Sequence, residues 1–309
     1  MAEPSHSGPS AFPPSGAPAR LSTGVPGLDQ RLGGGLLPGT LTVVIGASGI
    51  GKTQLGLQFA RGGLASAEPS GILYDMNARI DPQSHADYAQ RMFGWNLRAI
   101  DGSRRPELDR IFADDFSPGD YLHVFDRAGR RVTRQDLSFD LWHDWQAELA
   151  AKLETTIAFF YGNLTRGVRR VVVDGIEPAE RPSESIQFEL FEYIYHQILR
   201  KDDDWVARDL LRENFRAQAD AVAAHRYDWR QVACVLLYTS HETLLDPLIA
   251  RPLADGELLA NANTLILMGK IQQGSKFARG LLVAKHRGSA ASDDIATFRI
   301  TDAGLAIEE

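Results

Sequence analysis

The chain has 309 residues, a formal net charge of −7 and a single cysteine. This length predicts one large domain, or a domain with an insertion. The acidic balance argues against bulk attraction to nucleic acid, and one cysteine excludes a disulfide within the chain. No apolar run is long enough for a signal peptide or a membrane span, so we expect a cytoplasmic location and no membrane partner.

The first 18 residues are rich in proline, serine, glycine and alanine. Such a segment buries too little apolar surface to order itself, so we predict a disordered tail over residues 1–18. The folded domain is then expected to span residues 19–309.

A phosphate-binding motif follows the first predicted strand, an apolar and β-branched run at 41–45. The motif matches the pattern G-x-x-x-x-G-K-[ST] and consists of Gly46, Ala47, Ser48, Gly49, Ile50, Gly51, Lys52 and Thr53. Apolar residues at helical spacing follow over residues 53–60. A strand, a glycine loop and a helix form the context in which this motif binds a nucleoside triphosphate.

Each part of the motif has its own expected task. Backbone N–H groups of a glycine loop point at phosphate oxygens, and the helix N-terminus adds partial positive charge. Lys52 is expected to reach the β- and γ-phosphates, and Thr53 is expected to offer its hydroxyl to Mg²⁺.

Further strands alternate with helical stretches, which is typical of a parallel sheet covered by helices. The predicted strands lie at 71–74, 121–125, 171–174, 235–238, 264–268, 280–284 and 297–300. A long helix is predicted at 136–161, where apolar residues recur every fourth position. The last three strands are expected to form an antiparallel edge. Cys234 lies in an apolar run and is expected to be a buried core residue.

Asp174 follows the apolar residues 171–173 and is expected at the carboxyl edge of the sheet, where open α/β folds bind ligands. Its carboxylate can bind Mg²⁺ and complete the metal site begun by Thr53. An aspartate that caps the following turn is compatible with that role.

Two further segments carry a family signature. A lead-in at 21–39 contains Ser-Thr-Gly, Leu-Asp, Gly-Gly-Gly and Pro-Gly, and a closing segment reads Lys-His-Arg-Gly-Ser at 285–289 and Phe-Arg-Ile-Thr-Asp-Ala-Gly-Leu at 298–305. Together with the phosphate loop, these segments resemble the KaiC and RadA branch of the RecA-superfamily ATPases. The resemblance implies an α/β, RecA-like P-loop fold with a mostly parallel sheet and C-terminal antiparallel strands.

The resemblance also implies a protein that binds ATP and Mg²⁺ and assembles into a homo-oligomeric ring, in some cases a hexamer. In such rings the Lys and Arg of the closing segment, here Lys285 and Arg287, reach the γ-phosphate of a neighbour's ATP. A cation supplied by the neighbour neutralises charge that develops on the transferred phosphoryl group. The resemblance also implies that Ser240 and His241 occupy the place where the family keeps a polar sensor of the γ-phosphate.

One departure from the family concerns the group that activates water. Family members carry a glutamate just after the second strand, whereas Asn77 lies near that position here. A neutral amide can orient water but cannot take its proton, so general-base assistance of roughly 10²–10⁴-fold is at risk. Asp75 and Glu177 are the alternative bases. We therefore expect ATP hydrolysis to be slow or lost while ATP binding is kept.

A second departure is the length of residues 178–230, which we interpret as a helical insertion. Helices are predicted at 184–201 and 203–225, and the segment is rich in aromatic residues. Packing against the sheet is the simpler explanation of these aromatics. A docking surface for a protein partner is the alternative.

Three functions fit the sequence. The first is a KaiC-like oligomeric ATPase that acts as a regulatory or signalling switch. The second is a RadA-like recombination or repair ATPase that binds single-stranded DNA. DNA is not favoured, because residues 242–263, the expected DNA-facing loop, hold one arginine beside four acids. The third is a nucleotide-binding scaffold with little turnover.

Overall fold

The structure is a computed structural model, and it describes residues 19–62, 68–77, 84–102, 104–125, 139–177, 185–250, 261–288 and 292–308. The predicted tail, residues 1–18, lies outside these ranges, as do the first residues of the predicted insertion, 178–184.

A ten-stranded sheet forms the centre of the described part of the chain. Its strands are β1 (Leu41–Ala47), β2 (Ile72–Asp75), β3 (Ala99–Ile100), β4 (Tyr121–His123), β5 (Arg170–Ile176), β6 (Ala233–Ser240), β7 (Thr264–Gln273), β8 (Lys276–His286), β9 (Ala296–Thr301) and β10 (Gly304–Ile307). Their order in space is β10-β9-β8-β7-β1-β6-β5-β2-β4-β3. β1 to β7 pair in parallel, and β7 to β10 pair antiparallel. The predicted α/β fold with antiparallel C-terminal strands is confirmed.

The helices are α1 (Pro26–Arg31), α2 (Lys52–Arg61), α3 (His85–Phe93), α4 (Phe139–Leu164), α5 (Ile186–Ile194), α6 (Asp203–Leu211), α7 (Ala219–Ala224) and α8 (Leu245–Ala250). A π-helical turn at Tyr195–Leu199 continues α5. The predicted long helix corresponds to α4. Helices α1, α3 and α8 and the short strands β3 and β10 were not predicted from the sequence, and α8 lies within the predicted loop 242–263. Among the described residues, the structure contains no helix that combines the length and the apolar character needed to cross a membrane.

The core forms two layers, one on each face of the sheet. Val43 belongs to a cluster with Phe160 of α4 and Phe191 of α5, whereas Val44 packs with Leu57 of α2. Successive residues of a strand point to opposite faces, so a continuous apolar strand is buried on both sides, as parallel sheets require. The helix that begins at the phosphate loop is therefore held on the face opposite α4 and α5.

The predicted aromatics of segment 178–230 divide between core and surface. Phe191 and Tyr195 are buried and stack on each other, in agreement with packing against the sheet. Trp205 is 55% exposed and lies under the ammonium of Lys201. Cys234 is buried on β6, as predicted, and burial raises the pKa of its thiol. These core residues join α5 and its π-helical turn to the sheet.

Gln58 fastens the last strand of the sheet to α2. Its side-chain oxygen accepts a hydrogen bond from the Leu305 N–H at 2.6 Å, and its amide nitrogen donates to the Leu305 carbonyl at 3.1 Å. The adjacent Gly304 has a φ of +109°, and a Cβ there would lie 2.6 Å from the amide carbon of Gln58. Glycine is required here both for its backbone conformation and for this close approach.

We expect Gln58→Ala to lower the free energy of unfolding by about 2–6 kcal/mol, because two buried backbone groups lose their partner at about 1–3 kcal/mol each. Urea unfolding monitored by circular dichroism measures the change. Gln54→Ala is the matched control on the same helix, where Gln54 is partly exposed, and its expected effect is within about 0.5 kcal/mol. Equal losses in the two variants would contradict the role assigned to Gln58.

Candidate functional site

The phosphate-binding motif lies where β1 ends and α2 begins. Gly46 and Ala47 are the last residues of β1, and α2 starts at Lys52. Gly49 has a φ of +73° and Gly51 a φ of +123°, and both values favour glycine. A Cβ on Gly49 would meet no atom within 4 Å, so the loop is open on that side. The remaining motif residues differ in exposure, with Ser48 exposed and Ile50 buried.

Lys52 curls back over the loop that precedes it. Its Nζ donates to the carbonyls of Gly46 and Ala47, each at 3.0 Å. The side chain is 7% exposed, and this burial lowers the pKa of Lys52 to about 8, although Asp174 opposes the shift. The Lys52 ammonium thus lies against the loop, and loops of this kind bind phosphate oxygens through their backbone N–H groups.

Thr53 and Asp174 meet although they are 121 residues apart in the chain. Thr53 Oγ1 donates to Asp174 Oδ2 at 2.9 Å. Asp174 is buried on β5, which is separated from β1 by β6 alone. Hydroxyl and carboxylate oxygens are hard donors of the kind Mg²⁺ prefers, so this pair fits the predicted metal site in its chemistry. The structure brings the two predicted metal ligands together.

The described residues contain no group of three or more His, Cys, Asp or Glu side chains placed to hold a metal by themselves. This is compatible with Mg²⁺ at a nucleotide site, because that ion usually binds through one or two carboxylates together with phosphate oxygens and water. Any Mg²⁺ here would accordingly depend on the nucleotide for part of its coordination.

Ser240 lies on β6, between the strands that carry the loop and Asp174. It is buried, and its Cα pairs in register with Ala47 of β1. Its Oγ accepts a hydrogen bond from the backbone N–H of Glu242 at 3.1 Å. A sensor of the γ-phosphate must lie at the carboxyl edge of the sheet beside the phosphate loop, and Ser240 lies at that edge.

Asp75 is the centre of a polar network at the end of β2, one strand beyond Asp174. Its Oδ2 accepts from the Tyr121 hydroxyl at 2.6 Å and lies 3.3 Å from His85 Nδ1. Its Oδ1 accepts from the backbone and side-chain N–H groups of Asn77, at 2.9 and 2.7 Å. Burial alone would raise the pKa of Asp75, but His85, Tyr121 and Asn77 together hold it well below its ordinary value. With both oxygens engaged and a low pKa, Asp75 is a poor proton acceptor.

Asn77 and Glu177, the other two candidates for water activation, lie beside each other at the same edge. Gly175 has a φ of +98°, and a Cβ there would lie 2.3 Å from the backbone nitrogen of Asn77. Gln187 accepts from the Glu177 N–H at 3.2 Å and donates to the Met76 carbonyl at 2.7 Å. The ends of β2 and β5 are thereby joined, while the Asn77 side chain is turned toward Asp75.

His85 is a residue of this site that the sequence analysis missed. It is the first residue of α3, and its Nε2 lies 2.9 Å from Asp174 Oδ2. Burial opposes its charged form, but Asp75 and Asp174 outweigh that cost and raise the pKa of His85. The helix start was recognisable, because Ser84 and Asp87 form a capping box. No sequence pattern indicated the contact between His85 and Asp174.

Lys285 and Arg287 lie away from the phosphate loop of their own chain. His286 pairs with Thr264 at the start of β7, whereas Gly46 pairs with Met268 farther along that strand. Four residues of a strand correspond to about 13 Å. The two cations are therefore near the amino edge of β1, and the structure does not bring them to the other predicted site residues.

We expect Tyr121→Phe to lower the free energy of unfolding by about 1.5–3 kcal/mol, because the ionised Asp75 loses a charge-assisted hydrogen bond. Chemical denaturation measures the change. Tyr193→Phe is the matched control, since that hydroxyl donates to Asp209 at 3.2 Å in an exposed position and its loss is expected to stay within about 0.5 kcal/mol. A Tyr121→Phe variant as stable as the control would show that this hydrogen bond has little net effect.

A glycine loop between β1 and α2, with the Thr53–Asp174 pair across the strand order β1-β6-β5, defines a P-loop nucleotide-binding protein. Comparison with known proteins narrows this class. The family model for KaiC ATPases matches residues 21–116. Over this segment the chain is similar to the KaiC ATPases, and the fold is that of a RecA-like P-loop nucleotide-binding protein.

Three relatives illustrate the similarity. The chain is 33% identical to the circadian clock oscillator protein KaiC of Prochlorococcus marinus over 116 residues, which are 36% of this chain and 21% of that protein. It is 32% identical to the protein of that name from Parasynechococcus marenigrum over 129 residues, 38% of this chain and 23% of the relative. It is 33% identical to a UPF0273 protein of Methanopyrus kandleri over 79 residues, 26% of this chain and 30% of the relative. The similarity thus spans less than a third of each relative.

Proposed function

We propose that this protein binds and hydrolyses Mg-ATP as a homo-oligomeric ring and acts as a regulatory or signalling switch. The observation that carries the proposal is the 2.9 Å contact between Thr53 and Asp174 beside the phosphate loop. It unites two sequence-distant groups of the kinds that hold the nucleotide-bound metal in P-loop NTPases. The matched family segment covers Thr53 but ends before Asp174, so the contact supports the proposal independently.

In this proposal the loop residues 46–53 bind the phosphates of ATP, with backbone N–H groups and the Lys52 ammonium as donors. Mg²⁺ held by Thr53 and Asp174 would neutralise charge on the phosphate oxygens. In the same proposal Ser240, at the edge between them, would donate its hydroxyl to the γ-phosphate.

The position of Lys285 and Arg287 supports the proposal of a ring. Within one chain they lie on the amino side of the sheet, so they cannot serve their own phosphate loop. A head-to-tail contact places different surfaces of two copies against each other, and successive contacts of this kind close into rings. Arg287 is exposed, as a residue that reaches into a neighbour's site must be.

Mixing two inactive variants tests the assembly. We expect Lys52→Ala and Arg287→Ala each to abolish ATP hydrolysis, because they remove opposite halves of one shared site. An equimolar mixture should recover up to about one quarter of wild-type activity, since random head-to-tail neighbours restore that fraction of sites. Phosphate release across a protein concentration series measures this, with Lys276→Ala on β8 as an active control. A mixture that assembles but stays inactive would rule out a shared site.

A second candidate, a nucleotide-binding scaffold with little turnover, is favoured by the network around Asp75. Asp75 is a poor base and the Asn77 amide is turned toward it, so Glu177 is the remaining carboxylate among the three predicted candidates. If Glu177 alone can accept the proton of water, hydrolysis depends on a group that the family does not place there.

We therefore expect Glu177→Gln to slow single-turnover ATP hydrolysis by about 10²–10⁴-fold while leaving ATP binding unchanged. Rapid-quench kinetics and equilibrium binding of a fluorescent ATP analogue measure the two quantities. Glu192→Gln on α5 is the control. A wild-type protein that binds Mg-ATP without turning it over would instead favour the scaffold.

Other expectations stay predictions. The DNA-facing role of residues 242–263 cannot be judged from the fold, because residues 251–260 lie outside the described ranges. A protein partner on the helices of segment 178–230 is supported by the exposure of Trp205. Ring size and cytoplasmic location rest on the sequence resemblance and composition.

A further inference from the structure

A buried histidine joins the two carboxylates that end β2 and β5. His85 Nε2 lies 2.9 Å from Asp174 Oδ2, and its Nδ1 lies 3.3 Å from Asp75 Oδ2. The His85 side chain is 9% exposed. Asp75 and Asp174 are paired in register on neighbouring strands, so the two nitrogens of one planar ring can contact both carboxylates.

The Asp174 oxygen that faces His85 is the one that accepts the hydroxyl of Thr53, also at 2.9 Å. A carboxylate held by Thr53 alone could rotate about its χ angles. With a second donor on the same oxygen, that oxygen is held between His85 and Thr53. The geometry of the pair that would bind Mg²⁺ therefore depends on His85.

His85 is itself held from several sides. The capping box of Ser84 and Asp87 fixes the start of α3, and the Tyr121 ring packs 5.6 Å from the imidazole. Asp75, on the far side, is held by Tyr121 and Asn77. The support of Asp174 is thus a continuous set of hydrogen bonds and ring contacts, of the kind that orients metal ligands from behind.

We propose that His85 is a positioning residue of the Mg²⁺ site, which orients the Asp174 carboxylate for the metal. The inference rests on the proposed Mg-ATP function and assigns to α3 a task that the phosphate motif and the closing segment do not perform. Loss of such a supporting partner typically weakens metal affinity by about 10–100-fold.

The test compares nucleotide binding with and without metal in the full chain. Equilibrium binding of a fluorescent ATP analogue is measured in excess EDTA and across a Mg²⁺ series, for wild type, His85→Leu and His85→Gln. We expect His85→Leu to keep the metal-free affinity within about twofold and to raise the half-saturating Mg²⁺ concentration about 10–100-fold. His85→Gln, which keeps a donor within reach of Asp174, should show a smaller increase.

His123→Gln is the matched control, because His123 belongs to the same edge but donates to the Asn77 carbonyl at 2.9 Å. Its half-saturating Mg²⁺ concentration should stay within about twofold of wild type, because its hydrogen bond is made to the Asn77 backbone and not to Asp174. If His85→Leu fails to fold, His85→Asn takes its place. The asparagine is too short to reach Asp174, so it should need more Mg²⁺ than His85→Gln.

A His85→Leu variant with wild-type Mg²⁺ dependence overturns the inference and leaves the proposed function intact. Equal losses of metal-free and metal-dependent binding also overturn it, because they indicate a general structural role. A wild-type protein whose ATP binding ignores Mg²⁺ overturns the inference and the proposed function together.

Discussion

The hydrogen bond between Thr53 and Asp174 is the constraint on which the arrangement of this molecule depends. It requires β5 to end level with the phosphate loop, with β6 between them, and it places Ser240 in the gap. The two apolar layers of the core hold α2 on one face and α4 and α5 on the other, so the loop and the carboxylate keep their relation. Because parallel strands end at one edge, residues far apart in sequence become neighbours there.

The parts of the site predictable from sequence are those with a local pattern. Residues 46–53 follow a fixed spacing, and Asp174 follows an apolar strand, so their meeting could be derived from the chain order of strands. His85 has no such pattern. It reaches Asp174 because α3 packs against α2, a tertiary contact that sequence periodicity does not predict. The two-residue strand β3 was not predicted for a different reason, because so short a segment has too few side chains to show alternation.

The contacts of Asp75 decide whether this carboxylate can activate water. By sequence position alone, Asp75 lies close enough to the expected glutamate to be a candidate base. In the fold, its oxygens accept from Tyr121 and from Asn77 and face His85, and every one of these contacts favours the ionised, engaged form. The same contacts that disqualify Asp75 from water activation make it a firm support for His85. At this edge a carboxylate lies near the position of the family's glutamate, but its contacts make it a poor proton acceptor.

The Gln58 contact has a mechanical consequence. Leu305 of β10 is tied to α2, β10 is paired with β9, and β9 is paired with β8, which ends beside Arg287. The helix behind the phosphate loop is thus connected to β8 through the hydrogen bonds of β10 and β9. In a ring with shared sites, Arg287 at the end of β8 would contact the nucleotide of the next subunit. Nucleotide binding at one site would then be coupled to the neighbouring site through these strands.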